Sequence, residues 1–385
     1  MRQTLIVLAL VSALLHLYLG WRLLPALPWP PAAVGLAGLW LLASTVLTPA
    51  PLLARGIRDP RQADRLAWTG YLAMGLFSSL LVLTLLRELL LLAAALLPAD
   101  WFRPGLPARS AQGVVLLAAL LSLVGLLNAR RLAAVRTVAV PVAGLPAALQ
   151  GFRIVQLSDV HVGHTIKRGY LQAIVDRANG LQADLMALTG DLVDGSVHSL
   201  REHTAPFGEL RARHGVYAVT GNHEYYSGAD SWVAEWRRLG ITPLMNEHRV
   251  IEHEGAPLLV AGVTDYSAHR FDASQRSDPA AALAGAPGTA TVKLLLAHQP
   301  RSAPAAAEAG YDLQLSGHTH GGQFLPWNWF VPLQQPYTAG LHRLRRLWVY
   351  TSRGTGYWGP PLRFGAPSEI TLLTLTRAQA VDPPA

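Results

Sequence analysis

The pattern of apolar and polar positions divides the chain in two. Up to residue 130 apolar residues run in long, nearly unbroken blocks; beyond residue 150 they come in short runs separated by polar, glycine-rich segments. Leu5–Leu19 is apolar except for Ser12 and His16 and predicts a first membrane span. It reads as retained rather than cleaved, because no small-residue cleavage site follows it. Ala32–Leu47 predicts a second span. Ala67–Leu86 predicts a third, continued past Arg87 and Glu88 by an interfacial extension in preference to one continuous tilted helix with an internal ion pair, and Val114–Leu127 predicts a fourth. His16 is expected at an interface or hydrogen-bonded inside the bundle, since membrane histidines find partners.

The short runs are partly β-branched: Phe152–Leu157, Leu185–Leu188, Val216–Val219, Val292–Ala297 and Leu313–Ser316. They predict buried strands. Helical stretches at Gly169–Asn179, Leu200–Arg213 and Ser231–Leu239 follow the first three, and this alternation predicts an α/β fold. Arg249–Glu252 and Leu258–Val263 read as an antiparallel pair turned at Glu254-Gly255. Leu347–Thr351 and Ile370–Thr376 are further strands, and Asp272–Gly288 is a surface loop. The expected organisation is a transmembrane domain at 1–130, a linker at 131–150 (Pro141, Gly144 and Pro146 fall in it) and a soluble domain at 151–385.

Composition sharpens this division. The chain of 385 residues is 51% hydrophobic and 15% charged, with no cysteine. Disulfides and thiolate ligands are excluded, which leaves His, Asp and Asn for any metal. The net charge of +8 rests on arginine, with lysine only at Lys167 and Lys293. No basic run interleaved with aromatics predicts a nucleic-acid groove. The arginines instead set topology. Arg2, Arg55, Arg58, Arg61, Arg65, Arg130, Arg131 and Arg136 fall on one side of four spans and Arg22, Arg103 and Arg109 on the other. That places both termini and the soluble domain in the cytoplasm.

The chemistry gathers just past the strands. Gly317-His318-Thr319-His320-Gly321-Gly322-Gln323 sets two imidazoles one residue apart in a tight, glycine-flanked loop. Asp159-Val160-His161, Gly190-Asp191, Gly221-Asn222-His223-Glu224 and His298 each follow another apolar run. Open α/β sheets collect their sites at such strand ends. Asp159 and His161 can reach one ion from extended chain, Asp191 can bridge two ions, and Asn222 adds a neutral oxygen. The mixed nitrogen and oxygen set suits Mn, Fe, Zn or Ni.

Taken in order, the blocks D-x-H, G-D, G-N-H-[DE], H and G-H-x-H over residues 150–376 resemble the calcineurin-like metallophosphoesterase superfamily. The Gly-Gly-Gln after His320 and Ser352-Arg353-Gly354-Thr355-Gly356 are similar to a bacterial membrane-associated branch. The resemblance implies two facing sheets flanked by helices, an αββα sandwich, behind the all-α membrane domain. It implies two divalent ions. Asp159, His161, Asp191 and His320 would hold one, and Asp191, Asn222, His298 and His318 the other. A bridging hydroxide would attack phosphorus, and His223 would contact the phosphate and protonate the leaving group. Glu224 orients an imidazole, caps the helix near Ser231 or is solvated, and His164 reads as a solvated loop residue. The loop Phe324, Pro326, Trp327, Trp329, Phe330 and Pro332 meets lipid or serves as packing or a lid. Arg353 and Arg363 contact phosphate or are ordinary surface arginines.

The expected protein is thus a membrane-anchored phosphoesterase of the bacterial inner membrane. Its substrate is a phosphodiester or pyrophosphate, with a lipid-linked phosphate suggested by the tether; monoester, cyclic-nucleotide and nuclease activities stay open. The alternative is a non-catalytic metal-binding scaffold or membrane sensor. It is disfavoured because none of the seven expected ligands is missing.

Overall fold

The computed structural model describes residues 2–54, 56–97, 105–288 and 290–378. Arg55 and Arg103, used above for topology, lie outside the described residues. The chain forms two compact units. One comprises Met1–Arg130 with Gly359–Phe364, and the other Arg131–Trp358 with Gly365–Ala385.

The first unit is helical. Among the described residues, three of its helices are long and apolar enough to cross a membrane: Ile6–Ala26, Pro60–Ala95 and Leu106–Arg130. The second expected span is the shorter helix Pro31–Leu47, of 17 residues. At 1.5 Å per residue it reaches about 26 Å, against a hydrocarbon core of about 30 Å. The helix from Pro60 starts at Asp59, whose carboxylate accepts the Arg61 N–H, and Pro60 needs no amide partner there. It runs unbroken to Ala95. Arg87 and Glu88 therefore lie inside one continuous helix rather than at the start of an extension. Arg87 is buried, ion-paired to Glu88 at 2.9 Å and donating to Ser110 and the Pro107 carbonyl; Arg22 also pairs with Glu88. Pairing is what lets charge stay in an apolar bundle. His16 hydrogen-bonds the Ser12 carbonyl and Ser44 and stacks on Phe77 at 4.1 Å, as expected of a membrane histidine. Leu362 of the Gly359–Phe364 segment sits over Gly75 and Gly125, where a Cβ would meet its methyl carbons at 2.6 and 3.2 Å.

Among the described residues, the second unit holds twelve strands in two sheets. The first sheet is formed by β1 (Ala134–Val142), β2 (Arg153–Leu157), β3 (Leu185–Thr189), β4 (Val216–Val219), β5 (Thr242–Pro243) and β12 (Glu369–Arg377), in the order β1-β12-β2-β3-β4-β5. The second is formed by β6 (Glu247–His253), β7 (Ala256–Gly262), β8 (Val292–Leu296), β9 (Leu313–Ser316), β10 (Gly340–Leu344) and β11 (Leu347–Thr351), in the order β10-β11-β9-β8-β7-β6. Both sheets mix parallel and antiparallel pairs. Ile154, Leu185, Leu258, Leu294, Leu313 and Leu373 belong to the core shared by strands of both sheets. A second core packs Leu295, Ala297 and Val349 against Ala303 and Ala306 of the helix Ala303–Ala309. Helices cover the sandwich at Arg168–Asn179, Val197–Thr204 and Ala229–Arg238; the second ends well short of the expected Leu200–Arg213, giving way to a 3-10 turn at Ala205–Glu209 that has Pro206 in its first turn. The stretch 131–150, expected as a linker, contains β1, which pairs in parallel with β12 along its whole length. β5 and β10 were not expected either.

Topology fixes where the site lies. β2, β3 and β4 run parallel, as do β8 and β9, so their C-terminal ends deliver five loops to one edge of the sandwich. β12 runs antiparallel to β2, with Thr371 opposite Gln156, and β1 starts at Ala134 opposite Glu369. The first residues of this unit therefore enter its sheet at that same edge.

Candidate metal centre

The loops after β2, β3, β4, β8 and β9 bring all eight residues singled out in the sequence to that edge. Asp159, His161 and His320 offer ligand atoms within 4.8 Å of one another, and so do Asp191, His298 and His318. Asp191 joins the two groups. Its Oδ2 lies 3.2 Å from His298 Nε2, 3.9 Å from His223 Nε2 and 4.0 Å from His161 Nε2.

The backbone is strained to achieve this. Asp159, His161, Asp191, His318 and His320 all have φ between 50° and 71°. They are five of the ten non-glycine residues with positive φ among those described. Such conformations cost roughly 1–3 kcal/mol each and cluster where function fixes the geometry. The strain is held by hydrogen bonds into the loops. The Asp159 carboxylate accepts the His318 N–H at 2.9 Å and the Ser158 hydroxyl at 2.6 Å, and Asp191 Oδ1 accepts the His223 N–H at 2.8 Å. Two glycines are required by contact alone. A Cβ on Gly317 would collide with Ser158 Oγ and Asp159 Oδ2, and one on Gly221 with the Asp191 carboxylate.

The donors are also oriented. His298 Nδ1 donates to the Thr189 carbonyl at 2.8 Å, which leaves Nε2 unprotonated toward the site when the ring is neutral. His161 Nδ1 donates to Asp194 at 3.0 Å and presents Nε2 to His320 Nε2, 3.0 Å away; His318 Nδ1 lies 3.3 Å from His298 Nε2. Imidazole nitrogens so placed call for cations between or beside them. Asn222 Oδ1 is buried and has no hydrogen-bond partner among the described residues. An orphaned carbonyl oxygen beside carboxylates and inward-facing imidazoles fits a divalent-ion site, since buried polar atoms otherwise find partners.

The electrostatics without bound metal follow from crowding. Burial raises the Asp159 carboxyl above its usual range. Burial pushes His318 down to about 3, helped by the charge of His298. Burial opposes protonation of His223, yet Asp191 and Asp194 raise it to about 9. Burial would lift Asp194, but the His161 and His223 imidazoles hold it well below the ordinary carboxylate range.

Asp194 was missed in the sequence. It takes His161 Nδ1 at 3.0 Å and His223 Nδ1 at 2.5 Å, so one carboxylate aims two rings. The available signal was a second acid three residues after Asp191 in the same loop, which a parallel bridge from Val193 to Val162 pins against the loop of Asp159 and His161. Asp194→Asn is expected to lower divalent-ion affinity or kcat/KM about 10–100-fold, read by calorimetric titration of the metal-stripped protein. Unchanged affinity together with unchanged turnover would refute the orienting role.

Glu224 is not solvated, and it caps the helix Asn222–Ser227 rather than the one near Ser231. It is fully buried and accepts the N–H groups of Asp191, Leu192 and Gly221 at 2.9, 2.7 and 2.7 Å, tying the β3 loop to the β4 loop. Burial and the Asp191 charge raise its carboxyl to about 7. Arg353 pairs with Glu369 at 3.0 Å, and Arg363 is buried within the helical unit, donating its N–H to the Gly125 carbonyl. His164 is half-buried.

The family model of the calcineurin-like phosphoesterases matches residues 152–322. An uncharacterized metallophosphoesterase of Bacillus subtilis, YkuE, is 30% identical over 252 residues, which cover 60% of this chain and 81% of that protein. The chain belongs to the calcineurin-like metallophosphoesterases. Proteins named transmembrane protein with metallophosphoesterase domain are similar over a longer stretch. The one from Bos taurus is 42% identical over 282 residues and the one from Danio rerio 37% identical over 278, each match covering 69% of this chain and 62% of the relative. The chain thus spans 62% of the length of these relatives, and the likeness is not confined to bacteria.

Proposed function

We propose that this metallophosphoesterase is a membrane-anchored, two-metal enzyme that hydrolyses a phosphodiester or pyrophosphate, with a lipid-linked phosphate at the cytoplasmic leaflet as its substrate. The observation that carries the enzymatic reading is the convergence of oriented donors around Asp191, with the Asn222 oxygen left for a cation. Asp159, His161, Asp191 and His320 would hold one ion, and Asp191, Asn222, His298 and His318 the other. Bound divalent ions supply Lewis acidity toward a phosphoryl oxygen and lower the pKa of a water nucleophile.

The protein's own groups do the rest. Asp194 holds His223 with Nδ1 occupied, so that Nε2 is the nitrogen able to give a proton to the departing oxygen. Lipid linkage is supported by the apolar helices and by the unit's first residues entering the sheet at the site edge. The cytoplasmic, inner-membrane placement follows from the arginine bias, with Pro31–Leu47 counted as a crossing that bilayer thinning accommodates.

The test is hydrolysis of a chromogenic phosphodiester by the full-length protein, stripped of metal and resupplied with Mn. Activity is expected only after resupply. His223→Gln is expected to lower kcat about 10²–10⁴-fold for an alkyl leaving group and far less for nitrophenolate, which departs without protonation. Equal losses for both leaving groups would remove His223 from the acid role. A folded protein that binds no divalent ion would move the reading to the scaffold alternative.

A further inference from the structure

The loop after His320 has a composition and an exposure that the chemistry does not use. From Gly321 to Leu341 there is no Asp, Glu, Lys or Arg. Trp329 is 72% and Leu333 80% exposed, while Leu325, Trp327, Phe330 and Trp358 each lie between 43% and 52%. These side chains are not on a loose strand. Two 3-10 turns, Trp327–Trp329 and Val331–Leu333, set the backbone, and Asn328 packs its main chain onto Gly322. Gln323 accepts the Trp358 N–H and donates to the Trp358 carbonyl, both at 2.9 Å, and the Trp358 ring lies edge-on to His223 with centroids 5.7 Å apart. The result is an apolar rim, rich in indole and with no charged residue of its own, whose Trp358 stands beside His223 of the candidate metal centre.

Chain connectivity says what covers it. Arg130 ends the last apolar helix, and the sheet unit begins at Arg131, whose carbonyl accepts the Tyr170 hydroxyl at the start of the helix that follows the Asp159–His161 loop. On the other flank the chain leaves the sheet unit at Trp358 and re-enters it at Gly365, which bridges to Phe324. Within the sheet unit, the chain thus leaves and re-enters at the rim through Trp358 and Gly365, and it begins beside the helix that follows the Asp159–His161 loop. Water-exposed patches of this kind mark binding surfaces, and Trp with few charges is the composition of the bilayer interface.

We propose that the Leu325–Leu333 loop, with Trp358, is seated in the interfacial layer of the bilayer, so that the metal centre opens onto lipid headgroups and takes its phosphoester from the membrane plane. The inference deepens the lipid-linked reading above and rests on it for its consequence, but its test is independent of hydrolysis. The chain has no cysteine, so a single label reports a single place. Full-length Trp329→Cys and Leu333→Cys, each carrying an environment-sensitive nitrobenzoxadiazole, are reconstituted in phosphatidylcholine–phosphatidylglycerol vesicles. Arg346→Cys marks the β10–β11 turn at the far end of the sheet, roughly 17 Å of strand away at about 3.4 Å per residue.

Labels at 329 and 333 are expected to emit at shorter wavelength than the label at 346, to lose fluorescence to lipids bearing a nitroxide near the headgroup end of the acyl chain, and to resist iodide. The label at 346 is expected to show the reverse. Iodide quenching with no lipid quenching at both rim positions overturns the proposal. The unmodified protein's hydrolysis of a water-soluble diester reports separately on the phosphoesterase reading, so the failure of one is not mistaken for failure of the other.

Discussion

Asp191→Ala and Asp191→Asn are both expected to lower kcat/KM on a chromogenic diester by at least about 10³-fold, the several kcal/mol that Lewis-acid stabilisation contributes at about 1.4 kcal/mol per factor of ten. The two variants separate charge from shape. Asparagine keeps an oxygen to accept the His223 N–H, now received at 2.8 Å, and so preserves the β3 and β4 loops. It removes the negative charge that lies within 4.0 Å of nitrogens on His161, His223 and His298. Alanine removes both. If the carboxylate is the shared ligand of two ions, the variants fall together in activity and in bound divalent ion measured by elemental analysis, while circular dichroism of the Asn variant matches the parent. If Asp191 only positions the loop, Asn retains most of the activity. Retention of more than a tenth of parental kcat/KM with Asn would sink the bridging role.

The site was legible in the sequence because each of its blocks is short and lies just past a strand. Asp159, His161, Asp191, Asn222, His223, His298, His318 and His320 could be named from D-x-H, G-D, G-N-H-E, H and G-H-x-H, and the strands before them by their apolar runs. What supports them was harder to read. Asp194 and Glu224 act through hydrogen bonds between loops from different strands, and no local periodicity announces that. Glu224 in particular follows a histidine and precedes two tyrosines, a context in which solvent exposure is as natural as burial. β1 was obscured by Pro141 and by the proline and glycine that follow. Proline is tolerated there because β1 lies at the sheet's edge, with a partner on one side only. In the helical unit the pair Arg87-Glu88 suggested the end of a span, with a continuous helix as the alternative. The bundle instead encloses it, since Arg22, Ser110 and the Pro107 carbonyl complete its hydrogen bonds.

Glu224→Ala is the substitution expected to cost the sheet unit most stability per atom removed. The carboxylate accepts three buried amides, those of Asp191, Leu192 and Gly221. Each amide left without a partner costs about 1–3 kcal/mol, and water entering the vacated space recovers part of that, so a net loss of about 4 kcal/mol is expected. At about 2–4 °C per kcal/mol for a unit of this size, the midpoint of thermal unfolding should fall by roughly 10 °C. Glu224→Gln keeps one acceptor oxygen but turns an NH₂ group toward an N–H, which predicts an intermediate loss. The measurement is best made on metal-stripped protein in detergent by near-ultraviolet circular dichroism, because ion binding would add its own stabilisation and mask the difference. The order parent, Gln, Ala identifies Glu224 as the clasp between the loops that carry Asp191 and Asn222. A shift below about 2 °C for Ala, smaller than one lost hydrogen bond should give, would mean that the two loops are held by their strands alone.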